Sequence, residues 1–314
     1  MRTRSVDVSS NNGRRVTLAR EVGFCFGVKR AINLTRQALV ERSGVFILGE
    51  LVHNPRVTDE LEAKGLRKVD DVSGHEAGTM VIRAHGLPKA KIAEAHDRGV
   101  DVVDATCPIV LRAQEAARAL EERGCQVVII GDAKHAEIKG VLGALEHPAL
   151  VVDSVEEVRA AKAAHKLMRK VGVIFQTTHA LELCREIVCE LMFMCKEVQI
   201  INTICRPVQN RQDDALELAR RVDLMLVIGS RTSANTVELA ALCRHYNPQT
   251  VHIESAADLT PGMFVWAEHI GIASGLSTPD DLVEDVRAKV MAYDGPIEPR
   301  EPAGTRTDAE SARA

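Results

Sequence analysis

The sequence predicts an α/β protein built from three similar lobes, each with a mainly parallel sheet. Short runs of β-branched and other apolar residues alternate with stretches rich in Ala, Leu and Glu, which is the pattern of repeated strand–helix–strand units. The residues that follow these runs recur in a fixed order along the chain. The predicted strands are Val45–Leu48, Met80–Arg83, Val102–Val103, Gln126–Ile130, Leu150–Val152, Val171–Phe175, Val198–Ile201, Leu224–Ile228, Val251–Ile253 and His269–Ala273.

Three sets of strand ends make up this repeat. One set reads FILGELVHNP, VIIGDAKHAE and LVIGSRTSAN, a second reads VIRAHG, VIFQTTH and IASGLSTP, and a third, REVGFC, DATCP and NTICRP, supplies one cysteine each time. The recurrence divides the chain into lobes of roughly 80 to 100 residues, at 16–108, 109–204 and 205–293, between a disordered extension at 1–15 and a disordered tail at 294–314. Because ligands bind beyond the carboxyl ends of parallel strands, lobes facing one axis would bring these ends into one cleft.

Length and composition exclude several classes of protein. The 314 residues are 46% hydrophobic and 27% charged, so the chain is neither disordered nor a disulfide-stapled miniprotein. It contains no uncharged apolar run of about 18 residues and no apolar stretch near its start, so we expect no membrane span, no secretion and a cytoplasmic location. A net charge of −4 and an aromatic content of 3% predict no nucleic-acid or membrane partner.

The eight cysteines are expected to be reduced in such a compartment and to divide into two groups. Five fit apolar packing positions, namely Cys125, Cys184, Cys189, Cys195 and Cys243. The other three follow strands at equivalent points of the repeat and are predicted to bind metal: Cys25, Cys107 and Cys205. Three thiolates leave one position open, and their softness favours zinc or an iron–sulfur cluster over hard cations.

The other strand ends carry groups that suit a phosphate. The histidines at these ends are His53, His85 and His135, and the third lobe adds the hydroxyl and amide groups of Ser233, Asn235 and Ser277. Convergent N–H and O–H donors at helix N-termini form a cradle for phosphate oxygens.

A proton source is predicted beside this cradle. Glu137 lies two residues after His135 and opposite the hydroxyl-bearing turn Gln176–Thr178. A carboxylic acid next to a hydroxyl can relay protons, so Glu137 and Thr177 are the candidate catalytic residues.

Nine motifs together resemble one enzyme family, the 4-hydroxy-3-methylbut-2-enyl diphosphate reductases of the non-mevalonate isoprenoid pathway. In order they are GFCFGVKRAI, HNPRV, AHG, DATCP, GDAKHAE, QTT, NTIC, RQ and SAN. The resemblance runs from about Val16 to Val290. No single short motif is decisive, but nine in the same order are specific.

The resemblance implies a pseudo-threefold trefoil around a central [4Fe–4S] cluster, one per chain, with three cysteine ligands and one open iron. It implies that Cys25, Cys107 and Cys205 hold the cluster, that Glu137 and Thr177 deliver protons, and that the diphosphate is bound by His53, His85, His135, Thr177, Ser233, Asn235 and Ser277. The reaction would be a two-electron reductive dehydroxylation that gives isopentenyl and dimethylallyl diphosphate. Ferredoxin or flavodoxin would donate the electrons.

Four residues in three motifs depart from the family pattern. Ala234 stands where a second serine is usual, Pro207–Val208 replaces an Ala–Thr pair, and Ala136 replaces a common proline. Two other interpretations therefore stay open. One is a dehydratase, lyase or paralogue with the same fold and cluster but another substrate, and the other is a non-enzymatic iron–sulfur or zinc sensor.

Overall fold

The protein folds into three α/β lobes. The computed structural model describes residues 6–9, 13–75, 77–179 and 181–299. The strands are β1 (Val6–Ser9), β2 (Arg15–Leu18), β3 (Val45–Leu48), β4 (Arg67–Val69), β5 (Thr79–Ile82), β6 (Asp101–Asp104), β7 (Gln126–Ile130), β8 (Leu150–Val152), β9 (Lys170–Phe175), β10 (Glu197–Ile200), β11 (Leu224–Ile228), β12 (Thr250–Ile253) and β13 (His269–Ser274). The α-helices are α1 (Phe26–Glu41), α2 (Pro55–Ala63), α3 (Lys89–Asp97), α4 (Pro108–Glu122), α5 (Ala136–Leu142), α6 (Val155–Ala163), α7 (Leu181–Met194), α8 (Arg206–Ala219), α9 (Ala234–Tyr246) and α10 (Asp280–Met291).

Each lobe has its own sheet. The first lobe has the order β4-β3-β5-β6, the second β10-β9-β7-β8 and the third β1-β2-β13-β11-β12. All pairs are parallel except β1 with β2, which is antiparallel. The predicted fold of three mainly parallel α/β lobes is therefore confirmed.

Helices cover both faces of each sheet, so the central strands are apolar on both sides. All five residues of Leu224–Ile228 are buried, as are all four of Val45–Leu48. On each face of each sheet, apolar side chains of the strands and the covering helices form one buried cluster. Such continuous apolar runs are typical of buried parallel strands.

The structure differs from the expected lobe boundaries at the amino-terminal end. Strand β2 pairs in parallel with β13, so residues 15–18 belong to the third sheet and not to the first lobe. Residues 6–9, expected to be disordered, form β1 against β2. Both strands are short and alternate apolar with polar residues in an arginine-containing segment. The distant partner β13 determines β2, which in turn provides the partner of β1.

The carboxyl-terminal tail also differs in part from the expectation of disorder. Within residues 294–299, the amide N–H of Glu298 donates to the carbonyl of Val265 at 3.0 Å. The expected disorder of residues 300–314, and of 1–5 and 10–12, lies outside the described residues.

None of the helices in the described part of the chain has the length and apolar character needed to cross a membrane.

Candidate active site

One central cavity receives residues from all three lobes. Every candidate chosen from the strand ends lines it, namely Cys25, Cys107, Cys205, His53, His85, His135, Glu137, Thr177, Ser233, Asn235 and Ser277. Each of these residues follows the carboxyl end of a parallel strand, where open sheets bind ligands. The structure therefore brings the whole predicted set together.

The three cysteines occupy equivalent places, each as the residue that caps the N-terminus of a helix. Cys25 precedes α1, Cys107 precedes α4 and Cys205 precedes α8. The Sγ of Cys25 accepts a hydrogen bond from the amide of Val28 at 3.5 Å. Because a helix N-terminus carries partial positive charge, all three positions would stabilise the thiolate of a metal-bound cysteine.

Gly27 provides room between two of these thiols. A Cβ built on Gly27 would lie 2.6 Å from the Sγ of Cys107 and 3.9 Å from the Sγ of Cys25. Any larger residue would occupy the space that both sulfur atoms face. The cysteines are all free, so the thiols are available as ligands.

Burial disfavours the ionised form of two of these thiols, Cys25 and Cys205. Desolvation raises the pKa of Cys25, and it raises the pKa of Cys205 to about 12. A cationic metal group would displace these protons and remove the charge penalty. Three soft thiols, in a cavity with apolar walls such as Leu276 and Ile109, fit an iron–sulfur cluster.

The three histidines form a compact group beside the thiols. The ring centroids of His53 and His85 are 4.9 Å apart, those of His85 and His135 are 5.3 Å apart, and those of His53 and His135 are 6.1 Å apart. One nitrogen from each ring lies within 4.8 Å of the others, so the group could also be considered as a metal site.

The tautomer of His135 favours an anion over a metal. The Nδ1 of His135 accepts a hydrogen bond from the amide of Glu137 at 3.2 Å, so in the neutral ring the Nε2 carries the proton. A protonated Nε2 donates to an oxygen and does not ligate a cation. The trio is thus better suited to phosphate oxygens than to a metal ion.

The pKa values of these imidazoles are low. Desolvation, with His53 as the next cause, lowers the pKa of His135 to about 4. Desolvation and then His53 and His135 lower the pKa of His85 well below its usual range. Both rings are therefore neutral near pH 7 in the ligand-free protein, and an anion nearby would raise their pKa values.

Two polar nitrogen atoms of cavity-lining side chains are buried and have no hydrogen-bond partner among the described residues. They are the Nδ1 of His85 and the Nδ2 of Asn235, and both residues line the cavity. A buried polar atom without a hydrogen bond is unfavourable by about 1–3 kcal/mol. An anionic ligand would satisfy both.

The third lobe is joined to the histidine loop through Ser277. The Oγ of Ser277 donates to the carbonyl of His53 at 3.2 Å, and the Nδ2 of Asn54 donates to the carbonyl of Ser277 at 2.8 Å. These bonds fix the first and third lobes on either side of the cavity. Ser233, which caps α9, is 5% exposed at the same opening.

The carboxyl of Glu137 is paired with Thr177, which lies in the turn after strand β9. Its Oε1 accepts from the amide of Thr177 and its Oε2 accepts from the Thr177 hydroxyl, both at 2.7 Å. Glu137 is 1% exposed, and desolvation raises its pKa to about 7 in spite of these bonds. The pair can therefore hold or release a proton near neutral pH.

The structure corrects one packing assignment among the remaining cysteines. Cys125, Cys184 and Cys243 are buried in apolar clusters and Cys195 is partly buried, but Cys189 is exposed on α7. It lies among the apolar residues Ile187, Val188 and Leu191, whereas its own helix position faces solvent.

Several cavity residues were not identified from the sequence. The apolar wall, which includes Val28, Val52, Ile109, Val110 and Leu276, was not predicted, and Thr178 was named only as part of the hydroxyl-bearing turn Gln176–Thr178. Their position at strand ends and helix starts is the signal that could have indicated them. Of the residues that depart from the family pattern, Val208 and Ala234 line the cavity.

A family model and individual relatives of known sequence indicate the same protein family. The family model of the LytB protein matches residues 16–291. The 4-hydroxy-3-methylbut-2-enyl diphosphate reductase of Geobacter sulfurreducens is 41% identical over 279 residues, which cover 89% of this chain and 98% of that protein. The protein of the same name from Aquifex aeolicus is 38% identical and covers 88% and 96% of the two chains.

Solved structures agree with these relatives. The structure of an (E)-4-hydroxy-3-methyl-but-2-enyl diphosphate reductase, described as the terminal enzyme of the non-mevalonate pathway, matches with a TM-score of 0.67 and 37% identity, over 88% of this chain and 99% of that chain. The Plasmodium falciparum reductase shares the fold, with a TM-score of 0.83 at 22% identity over 95% and 94% of the two chains. The sequence match over almost the whole chain, together with the shared fold, shows that this protein belongs to the LytB family.

Proposed function

We propose that this protein reduces (E)-4-hydroxy-3-methylbut-2-enyl diphosphate to isopentenyl and dimethylallyl diphosphate. Three thiols, a group of three histidines and a buried carboxyl with a raised pKa share one cavity, and this combination carries the proposal. The reaction adds two electrons and two protons to the substrate, breaks its allylic C–O bond, and releases one water. The names of the relatives support the same reaction.

The diphosphate end of the substrate would be bound by the three imidazoles and the third-lobe donors. His85 and Asn235 would gain the hydrogen-bond partners that they lack. The Nε2–H of His135 would donate to a phosphate oxygen. Binding at this end would direct the allylic hydroxyl toward the thiols, because the cavity continues from the histidines to the cysteines.

Cys25, Cys107 and Cys205 would hold one [4Fe–4S] cluster per chain. When bound, such a cluster supplies electrons and a Lewis-acidic iron. Because no fourth cysteine lines the cavity within the described residues, three ligands and one open position are proposed.

Glu137 and Thr177 would supply protons. The pKa of about 7 leaves Glu137 partly protonated at neutral pH, and its contact with the Thr177 hydroxyl gives a path into the cavity. The hydroxyl would donate to the substrate while the carboxyl replaces its proton.

The electrons would come from ferredoxin or flavodoxin in the cytoplasm. Phe26, the first residue of α1, directly follows Cys25 and is 70% exposed, so its side chain offers apolar surface to a partner protein. The eight free cysteines agree with a reducing compartment.

Turnover under anaerobic conditions tests this function. With reduced viologen as electron donor and the allylic diphosphate as substrate, we expect viologen oxidation and release of both five-carbon diphosphates. Conversion of the substrate without electron uptake would favour a lyase or dehydratase. Cluster-dependent binding of a protein partner without any conversion would favour a sensor.

The binding of diphosphate is expected to take up protons through the histidines. An anion raises the low pKa values of His85 and His135. Affinity for the diphosphate should therefore increase as the pH falls from the pKa of the imidazole in the complex toward its pKa in the ligand-free protein. The increase is up to about tenfold per pH unit for each proton taken up. Calorimetry with inorganic pyrophosphate in buffers of different ionisation enthalpy counts these protons. Pyrophosphate itself also exchanges protons on binding, and comparison with His135→Gln removes this contribution from the count. Equal proton uptake by both proteins would contradict this prediction.

Ala234 is expected to limit affinity for the diphosphate. It lines the cavity at the first turn of α9, between Ser233 and Asn235. In Ala234→Ser, an added hydroxyl should lower KM by about tenfold, since a hydrogen bond to a charged group is worth about 1.5–3 kcal/mol. Ala133→Ser, in an exposed turn outside this cavity, is the control. An unchanged or higher KM in Ala234→Ser would favour a paralogue whose pocket serves another substrate.

A further inference from the structure

Arg211 is a buried cation beside the cysteine loops that has no role in the function proposed so far. It lies on α8, six residues after Cys205, and is 4% exposed. It belongs to the RQ motif, the part of the family resemblance to which the sequence assigns no chemistry.

The guanidinium joins three segments of the cavity wall. Its Nη1 donates to the carbonyl of Gly275 at 2.8 Å, to that of Gly23 at 2.9 Å and to that of Ser274 at 3.0 Å. Gly23 lies two residues before Cys25, and Gly275 lies two residues before Ser277. One side chain on the Cys205 helix therefore contacts both the Cys25 loop and the loop that carries Ser277.

Further bonds hold these same two loops together. The amide of Gly23 donates to the Oγ of Ser274 at 2.9 Å, and the amide of Cys25 donates to the carbonyl of Leu276 at 3.1 Å. These bonds do not involve Arg211. The loops thus have their own connection, and the Arg211 charge is an additional feature of the junction.

That charge is poorly compensated by the protein alone. Among the described residues, the guanidinium has carbonyl and hydroxyl partners but no carboxylate hydrogen bond, and its Nε has no partner. Desolvation lowers its pKa, and the Cys25 thiolate is the first of the opposing influences, before Glu21, Asp280 and Asp214. A buried cation without an adjacent anion is unfavourable.

We propose that the Arg211 guanidinium is the buried counter-charge of the cysteine-ligated cluster and raises its reduction potential. This inference rests on the proposed function, since it assumes that the three cysteines hold such a cluster. Thiolate ligation makes the group anionic, and one-electron reduction adds a further negative charge. A nearby buried cation stabilises the reduced form more than the oxidised form, and net charge around a cluster is a known determinant of its potential.

Titration of the cluster without substrate tests the role of the charge. Anaerobically purified wild type, Arg211→Lys, Arg211→Gln and Arg211→Met would be reduced with dithionite, which supplies the electron and is oxidised to sulfite. The midpoint potential follows from the visible and paramagnetic resonance spectra, and iron content is measured on the same samples. Arg221→Met is the control, since Arg221 is an exposed arginine that follows the same helix.

We expect the neutral variants to keep iron and to be reduced less readily by at least about tenfold in the equilibrium constant, which corresponds to about 59 mV for one electron. Arg211→Lys should lie closer to wild type, and Arg221→Met should equal it. Loss of iron in both neutral variants with retention in Arg211→Lys would also support a requirement for the charge.

Two results would overturn the proposal. One is an unchanged potential in neutral variants that keep their iron. The other is equal loss of iron in all three Arg211 variants, which would assign Arg211 to packing alone. Absence of a cluster from the wild type would instead contradict the proposed function, so the two failures are distinguishable.

Discussion

Replacing Cys25, Cys107 or Cys205 with serine is expected to remove most of the iron from anaerobically purified protein and to lower turnover by more than about a hundredfold. Loss of residues that merely support a metal ligand already lowers affinity by about 10- to 100-fold, and these thiols would be the ligands themselves. A serine hydroxyl is a harder donor that remains protonated, so it does not replace a thiolate toward iron. Iron and sulfide assays and the visible absorption of the cluster measure the effect.

The matched control is Cys189→Ser, because this thiol is exposed on α7 and outside the cavity. It should retain iron and activity. Circular dichroism of each variant separates ligand loss from unfolding, which matters because Cys205 is also packed against Val208 and Leu276. Unchanged iron and sulfide in all three cavity variants would show that the cluster ligands were wrongly assigned.

Glu137→Gln is expected to lower turnover by roughly a hundredfold to ten-thousandfold, the usual range for losing a general acid or base. The change is nearly isosteric. The glutamine oxygen can still accept from the Thr177 amide, and its NH₂ group can donate to the Thr177 hydroxyl, as a protonated carboxyl would. The substitution therefore removes the exchangeable acid and keeps the geometry. Glu146→Gln, an exposed glutamate of the same lobe, should keep wild-type turnover.

The same variant should be more stable than wild type at alkaline pH. Because burial raises the pKa of Glu137 from 4.5 to about 7, folding favours its protonated form. Protonated Glu137 therefore makes its full contribution to the stability of the wild type below pH 4.5, and this contribution is lost progressively as pH rises to about 7. Glutamine does not ionise, so Glu137→Gln should gain up to ~3 kcal/mol in free energy of unfolding above that pH.

Thermal or denaturant unfolding at pH 5 and pH 8 checks this sign. The difference between variant and wild type should increase with pH. Full turnover in Glu137→Gln would contradict the proton relay, and a stability difference that does not change with pH would contradict the raised pKa.

Much of the fold could be predicted because central parallel strands are apolar on both faces. The predicted bounds of Val45–Leu48, Gln126–Ile130, Leu150–Val152 and Leu224–Ile228 agree with the structure, and six other strands agree within one residue at each end. Strand β4 (Arg67–Val69) was missed because it is three residues long and mostly exposed. Strand β2 was missed because its pairing with β13 depends on residues about 250 positions away, as the linked pair Arg15 and His269 illustrates.

The residues of the cavity could be predicted because they follow equivalent strand ends, whose convergence is a property of the fold. Their electrostatics could not. The tautomer of His135 depends on the amide of Glu137. The low imidazole pKa values of His85 and His135 depend first on burial and then on the neighbouring rings, which come from two lobes. In the sequence, Arg211 is recognisable only as part of the motif RQ. Its burial and its contacts with the loops at Gly23 and Gly275 become visible only in the folded chain.

The pairing of β2 with β13 also has a consequence for the order of events during synthesis. The loop that carries Cys25 begins at the end of β2, and the amide of Cys25 donates to the carbonyl of Leu276, which follows β13, the last strand along the chain. Cys25, the first of the three thiols to leave the ribosome, therefore cannot reach its final place until the last lobe has emerged. We expect that a nascent chain released before β13 has folded separate first and second lobes but no cluster, so that iron enters only a finished polypeptide.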